Sequence, residues 1–364
     1  MSSMELSQLN YVALRHISEK TCEMSLINLA ISLANTHSQF NPAKKQIQSI
    51  EVNVHETSCV ITMSFSKKRE VYWKISTSES DLKGRGRRDE FELGGVIVKN
   101  RRYQTKDKFV IFSHCQNDIN TCQNLVQIIF NLFKADQFCF YTARKFDITK
   151  LLIFPGFNQV ENLTFIFYHP VSDKEFSLFW DTITPKKSLV FNFNGYNNKN
   201  RMGKINFDHE NLEFCSSQWL NEQELFEINS KKIVLKHSVF TDKLMNEYIK
   251  KWMSGEDSKL EKLTIDIQNG YLDVILDGIP SKSMDEIKEE RDLEEKNLEF
   301  REDNVFDELK YKFDANSARQ LTRSDGKVAS VQLKEGTRLY FVVWNEENPK
   351  ISDKPIINNF VELL

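Results

Sequence analysis

Six apolar pairs with two-residue spacing recur along the middle of the chain: Phe138/Phe140, Leu163/Phe165, Leu189/Phe191, Leu212/Phe214, Ile233/Leu235 and Leu263/Ile265. Their starts lie 25, 26, 23, 21 and 30 residues apart. An i, i+2 pair places both side chains on one face of a short strand. A short strand every 20–29 residues or so, with a helix between, is the period of a leucine-rich-repeat-like solenoid. Each unit of such an array leaves an apolar face that only its neighbours can cover. Val160/Leu163/Phe165 and Leu260/Leu263/Ile265 carry the L-x-x-L-x-L spacing, while Gln268 stands where the usual asparagine would fall. The array is therefore expected to be irregular. An ordinary α/β domain with alternating elements is the competing arrangement.

The segments between the pairs carry helix signals. Leu244, Tyr248, Ile249, Trp252 and Met253 form one stripe, with Thr241 as N-cap, Asp242 in the first turn and Gly255 as stop. Asn221 with Glu224 has the spacing of a capping box. Leu125 to Phe133 reads as an amphipathic helix. Before the array the period changes twice. Residues 1–42 read as helical, with Val12, Leu14 and Ile17 in one apolar group. Met24, Leu26, Ile27, Leu29, Ile31 and Leu33 form a denser one, and Pro42 marks the stop. From Ile47 to Ser76 the period is two, around Ile50/Val52/Val54, Ile61/Met63/Phe65 and Val71/Trp73, which predicts a short antiparallel meander. Asp81 to Asp89, with Lys83, Arg85, Arg87, Arg88 and two glycines, reads as a mobile basic loop: a solvated loop first, a partner site second. After the array, Asp285 to Asp303 holds ten acidic and four basic residues and reads as an exposed helix or linker. Val328 to Trp344 then alternates as a final hairpin, with turns at Asp325-Gly326 and Glu335-Gly336.

Length and charge bound the function. A chain of 364 residues suggests two or three domains, or one domain plus a repeat array. Its 49 Lys+Arg against 52 Asp+Glu give a net charge of −3, which supplies no global attraction for a nucleic-acid backbone. The 27 Phe supply ample packing material. No leader pattern opens the sequence and no apolar run is long enough to span a bilayer, so a soluble intracellular protein without membrane association is expected. Cysteines at 22, 59, 115, 122, 139 and 215 form no C-x-x-C, so reduced buried thiols are expected rather than disulfides or a zinc site.

The search for chemistry is largely negative. No phosphate-binding loop, nucleophile elbow or H-E-x-x-H is present, and Gly84/Gly86 lack the third glycine of a dinucleotide fingerprint. His114-Cys115 with Cys122 matches no common metal spacing, and Asp273 with Asp277 reads as a solvated face. An enzyme with a motif-free site stays a distant third reading; catalytic residues, cofactors and metals are expected to be absent. Binding surface remains. In a solenoid, the residues between the buried strand positions face the concave side. Of these, Asn192, Glu213, Lys236, Thr264 and Asp266 are the substrate-binding candidates, a chemical mixture suited to a protein partner. Helices covering that face would be the alternative.

Residues 212–279 resemble the type 2 F-box-associated domain known from nematode F-box proteins. The resemblance rests on Ser217-Gln218-Trp219, Leu225, Lys232 to Ser238, Thr241-Asp242, Asn246, Lys251-Trp252-Met253-Ser254-Gly255 and Leu260 to Ile265. Arg323 to Ala329 and Val343-Trp344 resemble its closing segment, and Phe109 to Phe133 the helix-led segment before it. In that family an F-box comes first. Leu9 to Leu14 and Ser25 to Ala30 resemble its helices, with Asn10 where proline is usual. The resemblance implies a substrate-recognition adaptor of an SCF-type ubiquitin ligase, with the ligase chemistry on other subunits. Leu9, Val12, Leu14, Ile17, Leu26, Ile27 and Leu29 would bind a Skp-type adaptor joined to the cullin core, and the C-terminal domain would hold a protein substrate. A non-ligase interaction module, its N-terminal helices only capping the repeats, is the alternative.

The expected fold is thus α/β. Residues 1–42 form a divergent F-box-like helical domain, and 43–110 antiparallel strands with the basic loop. Residues 111–284 form an irregular leucine-rich-repeat-like strand–helix domain, 285–320 an acidic linker and 321–364 a C-terminal hairpin.

Overall fold

Alternation governs the first ordered stretch. In β1 (Lys45–Val54) Ile50, Val52 and Val54 are buried while the residues between them are half-exposed, the signature of a strand with one face on a core. The computed structural model describes residues 25, 27, 45–66, 69–143, 160–183, 187–193, 207, 209–255, 259–283, 285–287 and 317–344. The chain divides into two units, Met1–Trp219 and Leu220–Leu364, so the boundary falls inside the expected 111–284 domain.

The first unit continues with β2 (Ser58–Ser66), β3 (Arg69–Ser76), a 3-10 turn (Glu79–Leu82), β4 (Arg87–Leu93), β5 (Val96–Gln104) and β6 (Lys108–His114). Then come α1 (Asp118–Leu132), β7 (Phe133–Thr142), β8 (Asn162–Phe167), α2 (Asp173–Thr182), β9 (Ser188–Phe193) and β10 (Asn211–Phe214). Its sheet runs β10-β9-β8-β7-β1-β2-β3-β6-β5-β4. Strands β10, β9, β8, β7 and β1 are mutually parallel; β2 is antiparallel to β1 and β3. The second unit holds α3 (Glu222–Glu227), β11 (Lys232–Leu235), α4 (Asp242–Met253), β12 (Lys262–Asp266), α5 (Leu272–Ile275), β13 (Lys282–Ser283), β14 (Arg319–Thr322), β15 (Val328–Lys334) and β16 (Arg338–Trp344). Its order is β13-β14-β15-β16-β12-β11, with only β11 and β12 parallel.

This corrects the expected architecture. The described residues are dominated by strands in mixed sheets rather than by a helix-rich repeat array, and the helical domain expected at 1–42 lies, apart from helical Ser25 and Ile27, outside them. Sixteen strands and five α-helices have their full bounds among the described residues, and two of those helices have six residues or fewer. The physical reason lies in what an i, i+2 pair encodes. It fixes that a segment is a strand and which face is apolar, but not which strand lies beside it. Here β1, not a capping helix, pairs in parallel with β7, and β16 pairs antiparallel with β12. Both extend the sheet with strands from outside the periodic stretch. Arg87 and Arg88, expected in a mobile loop, sit on β4 opposite Arg102 and Arg101 of β5. Leu9, Val12, Leu14, Ile17, Leu26 and Leu29 lie outside the described residues, while Ile27 is described and fully buried.

The six apolar pairs do fall on six strands. Phe138, Leu163, Leu189 and Leu212 align across β7 to β10, as do Phe140, Phe165, Phe191 and Phe214; Ile233 aligns with Leu263 in the second unit. Helix α2 packs on Phe165, Phe191 and Phe214. Ser172 and Glu175 form its capping box, and Phe176, Phe179 and Trp180 turn inward. Ring centroids of Phe191 lie 5.1 Å from Phe179, 5.2 Å from Trp180, 5.5 Å from Phe214 and 5.9 Å from Trp219. Such edge and offset contacts add to the burial term. Phe191→Ala is expected to destabilise the protein by about 3–5 kcal/mol, read from denaturant unfolding. Phe191→Leu should recover most of that; a loss below about 1 kcal/mol for the alanine variant would show that the cluster does not hold this unit together.

Candidate functional site

In the second unit, α4 packs on the face of Ile233, Leu235, Leu263 and Ile265. Thr241 accepts from the Leu244 amide at 3.3 Å to cap the helix. Trp252 meets Phe341 at 5.1 Å, and the guanidinium of buried Arg323 lies 4.9 Å from the Trp252 ring. Arg323 Nη1 donates to the Trp252 carbonyl at 3.3 Å and Nε to Asp325 at 2.9 Å. That hydrogen bond holds the Asp325 carboxyl below its ordinary range. Arg323 is thus stacked and bonded, which binds the β14–β15 turn to the end of α4. Asn246 Nδ2 donates to the Ile275 and Asp277 carbonyls at 2.8 and 2.9 Å and ties α4 to α5.

The opposite faces of the sheets hold four of the five substrate-binding candidates, and Lys236 lies in the turn after β11. In the second unit Thr264 on β12 is 7% exposed, and its buried Oγ1 has no hydrogen-bond partner. Asp266 is engaged within the protein. One carboxylate oxygen accepts from Arg338 Nε at 2.6 Å. The other accepts from the His237 amide at 2.8 Å, where His237 has φ +53°. Ser238 Oγ donates to the Asp266 carbonyl. Asp266 therefore holds the strained turn after β11, and Lys236 in that turn is half-buried. In the first unit Glu213 on β10 is 4% exposed and Asn192 on β9 half-buried. The same face of β7 carries Cys139, paired in register with Glu51 and Thr164; burial pushes its thiol up to about 11. Of the five candidates, Asn192, Lys236 and Asp266 retain partial exposure.

A second feature of the first unit is concave. A cleft of about 700 Å³ opens around the β5–β6 hairpin. Phe65, Val71 and Phe109 supply its apolar walls, and Ser25 lines it from the N-terminal segment. Five cations, Arg69, Arg87, Arg102, Lys106 and Lys108, face two anions, Glu70 and Asp107. Arg102 pairs with Asp89, and Lys108 pairs with Glu70 at 2.8 Å. The Glu70 hydrogen bond, with its charge, holds the Lys108 ammonium above its ordinary range. The hairpin tip is fixed by Thr105, whose amide donates to the Lys108 carbonyl at 2.8 Å and whose Oγ1 accepts from the Lys108 amide at 3.0 Å. Sequence reasoning singled out Arg87 but missed Arg69, Arg102, Lys106 and Lys108. They come from separate strands and turns, and only the sheet order brings them together. Among the described residues no group of three or more His, Cys, Asp or Glu could hold a metal ion, and no helix is long and apolar enough to cross a membrane.

A family model described as F-box associated matches residues 200–265. The matched stretch takes in β10, α3, β11, α4 and most of β12. No curated protein and no solved structure matches the chain.

Two outcomes test this arrangement. Asp266→Ala should lower stability by about 1–3 kcal/mol, because Arg338 and the His237 amide lose their shared acceptor. Unchanged stability would mean that the carboxylate is not a structural tie. The raised thiol of Cys139 contributes stability that is present below its ordinary pKa of 9.0 and lost as pH rises toward about 11. A Cys139→Val variant should therefore show a shallower fall in stability across that window than the wild type. Identical pH profiles would show that the thiol is not desolvated.

Proposed function

We infer that the chain is a substrate-recognition adaptor of an SCF-type ubiquitin ligase. The observation that supports this reading is the F-box associated match over residues 200–265. The order along the chain fits it, since the F-box-like sequence from Leu9 to Leu29 precedes the matched segment. In this reading Leu9, Val12, Leu14, Ile17, Leu26, Ile27 and Leu29 contact a Skp-type adaptor joined to the cullin core. The domain containing the match holds a protein substrate, and ubiquitin transfer takes place on other subunits. The chain then needs no catalytic group, cofactor or metal of its own and works inside the cell, away from membrane and nucleic acid.

One observation favours a second reading. Ile27 is fully buried in the isolated chain. A residue kept for an adaptor would sit on an exposed apolar patch, whereas a residue of a packed cap would not. In the second reading the chain is a protein-interaction module outside any ligase.

The deciding experiment is a pull-down of the full chain against a purified Skp-type adaptor, beside the variant Leu9→Asp/Val12→Asp. Retention of the wild type and loss of the variant, with the same thermal unfolding for both, is the outcome expected of a ligase adaptor. No retention of a folded wild type would leave the interaction-module reading in its place. A variant that unfolds would identify these residues as core.

A further inference from the structure

We propose that the cleft around the β5–β6 hairpin binds an acidic peptide segment of a partner protein, seating one apolar side chain of that segment on its floor. The first ground is charge. The whole chain carries a net charge of −3, yet five cations and two anions line this one cleft. Lys108 and Arg102 already have carboxylate partners in Glu70 and Asp89. Arg69, Arg87 and Lys106 are exposed, and among the described residues no carboxylate forms an ion pair with them. They stand on three separate segments, so their convergence is a property of the fold.

The second ground is the floor. Val71 is buried and Phe65 and Phe109 are half-buried, and all three line the cleft with the cations. A purely electrostatic surface has no use for such walls, whereas an anchor residue flanked by Asp or Glu uses both. The volume of about 700 Å³ suits a few side chains of an extended segment. A nucleic acid fits less well, because its backbone has no N–H groups, which Asp107 at the rim can accept from a peptide. The hydrogen-bonded Thr105–Lys108 tip presents Lys106 on a formed rim, which lowers the ordering loss on binding. The inference does not rest on the ligase reading: its grounds are residues 65–109, whereas the family match lies at residues 200–265.

The test is fluorescence anisotropy with the full chain and a labelled Glu-rich peptide carrying one central leucine. Comparison peptides replace every Glu by Gln, or the leucine by Ser. The acidic peptide should bind more tightly than either and weaken as salt is raised. Arg69→Glu/Arg87→Glu/Lys106→Glu should reduce its affinity on the order of tenfold or more. The reversal Lys174→Glu/Lys243→Glu/Lys250→Glu, at exposed lysines elsewhere in the chain, should leave it unchanged. Lys106→Gln alone, at the hairpin tip, gives a milder variant should the triple change unfold the protein, and should weaken binding in the same direction. The proposal is overturned by no binding, by equal binding of the Gln peptide, by undiminished binding to a folded cleft variant, or by a single-stranded oligonucleotide binding more tightly than the peptide.

Discussion

Parallel strands stacked in register impose a condition that the first unit meets with aromatic rings. Each strand from β7 to β10 presents two or three large apolar side chains to the same side, at the same height as its neighbours. A parallel ladder needs a crossover between successive strands, and the crossover must bring apolar surface back onto that side. Helix α2 does so with Phe176, Phe179 and Trp180, and Trp219 follows β10 onto the same cluster. Phe191 sits among them with no exposed surface. Rings fill this space where branched aliphatics would leave gaps, which accounts for the use of so many phenylalanines in a short stretch.

The other face of these strands follows a different rule. Thr164, Ile166, Cys139 and Glu213 in the first unit, and Val234, Thr264 and Tyr340 in the second, are all buried. Burial of polar groups at such positions brings a desolvation penalty that falls to hydrogen bonds or raised pKa values. Cys139 and Tyr141 show the second effect, both pushed upward chiefly by burial. Asp266 shows the first, with Arg338 and the His237 amide as partners. On the face that a solenoid would open to a ligand, Asp266 is thus held by the protein, while the buried Thr264 Oγ1 has no hydrogen-bond partner.

The legible part of the sequence was local. Phe138/Phe140 through Leu263/Ile265 each lie on a strand because period two is a property of a few consecutive residues. Asn221 and Thr241 cap helices for the same reason. Non-local pairings left no trace in the pattern. Nothing in the period places β1 beside β7 or Arg338 against Asp266, which lies 72 residues earlier. Spacing in the array was read as alternating strands and helices, yet only six helical residues separate β10 from β11 and the flanking strands join the same sheets. The basic stretch from Lys83 to Arg88 was legible as positive charge. Its division was not: Arg88 turns to the Leu82 and Gly84 carbonyls, while Arg87, opposite Arg102, lines the cleft.

That division bears on where recognition can occur. An arginine bonded to backbone carbonyls, as Arg88 is, or stacked on a ring, as Arg101 is on Phe112 at 4.4 Å, has its geometry fixed by the fold. It would lose those contacts on turning to a ligand. Among the described residues Arg69, Arg87 and Lys106 have no such side-chain contact, and they line the cleft together with Phe65, Val71 and Phe109. A partner that brings carboxylates and one apolar side chain gains from both features without displacing an internal bond. The desolvated sheet face offers no comparable gain, because a ligand reaching Asp266 must first compete with Arg338. A partner in the cleft therefore breaks no internal bond, whereas one at Asp266 would displace Arg338.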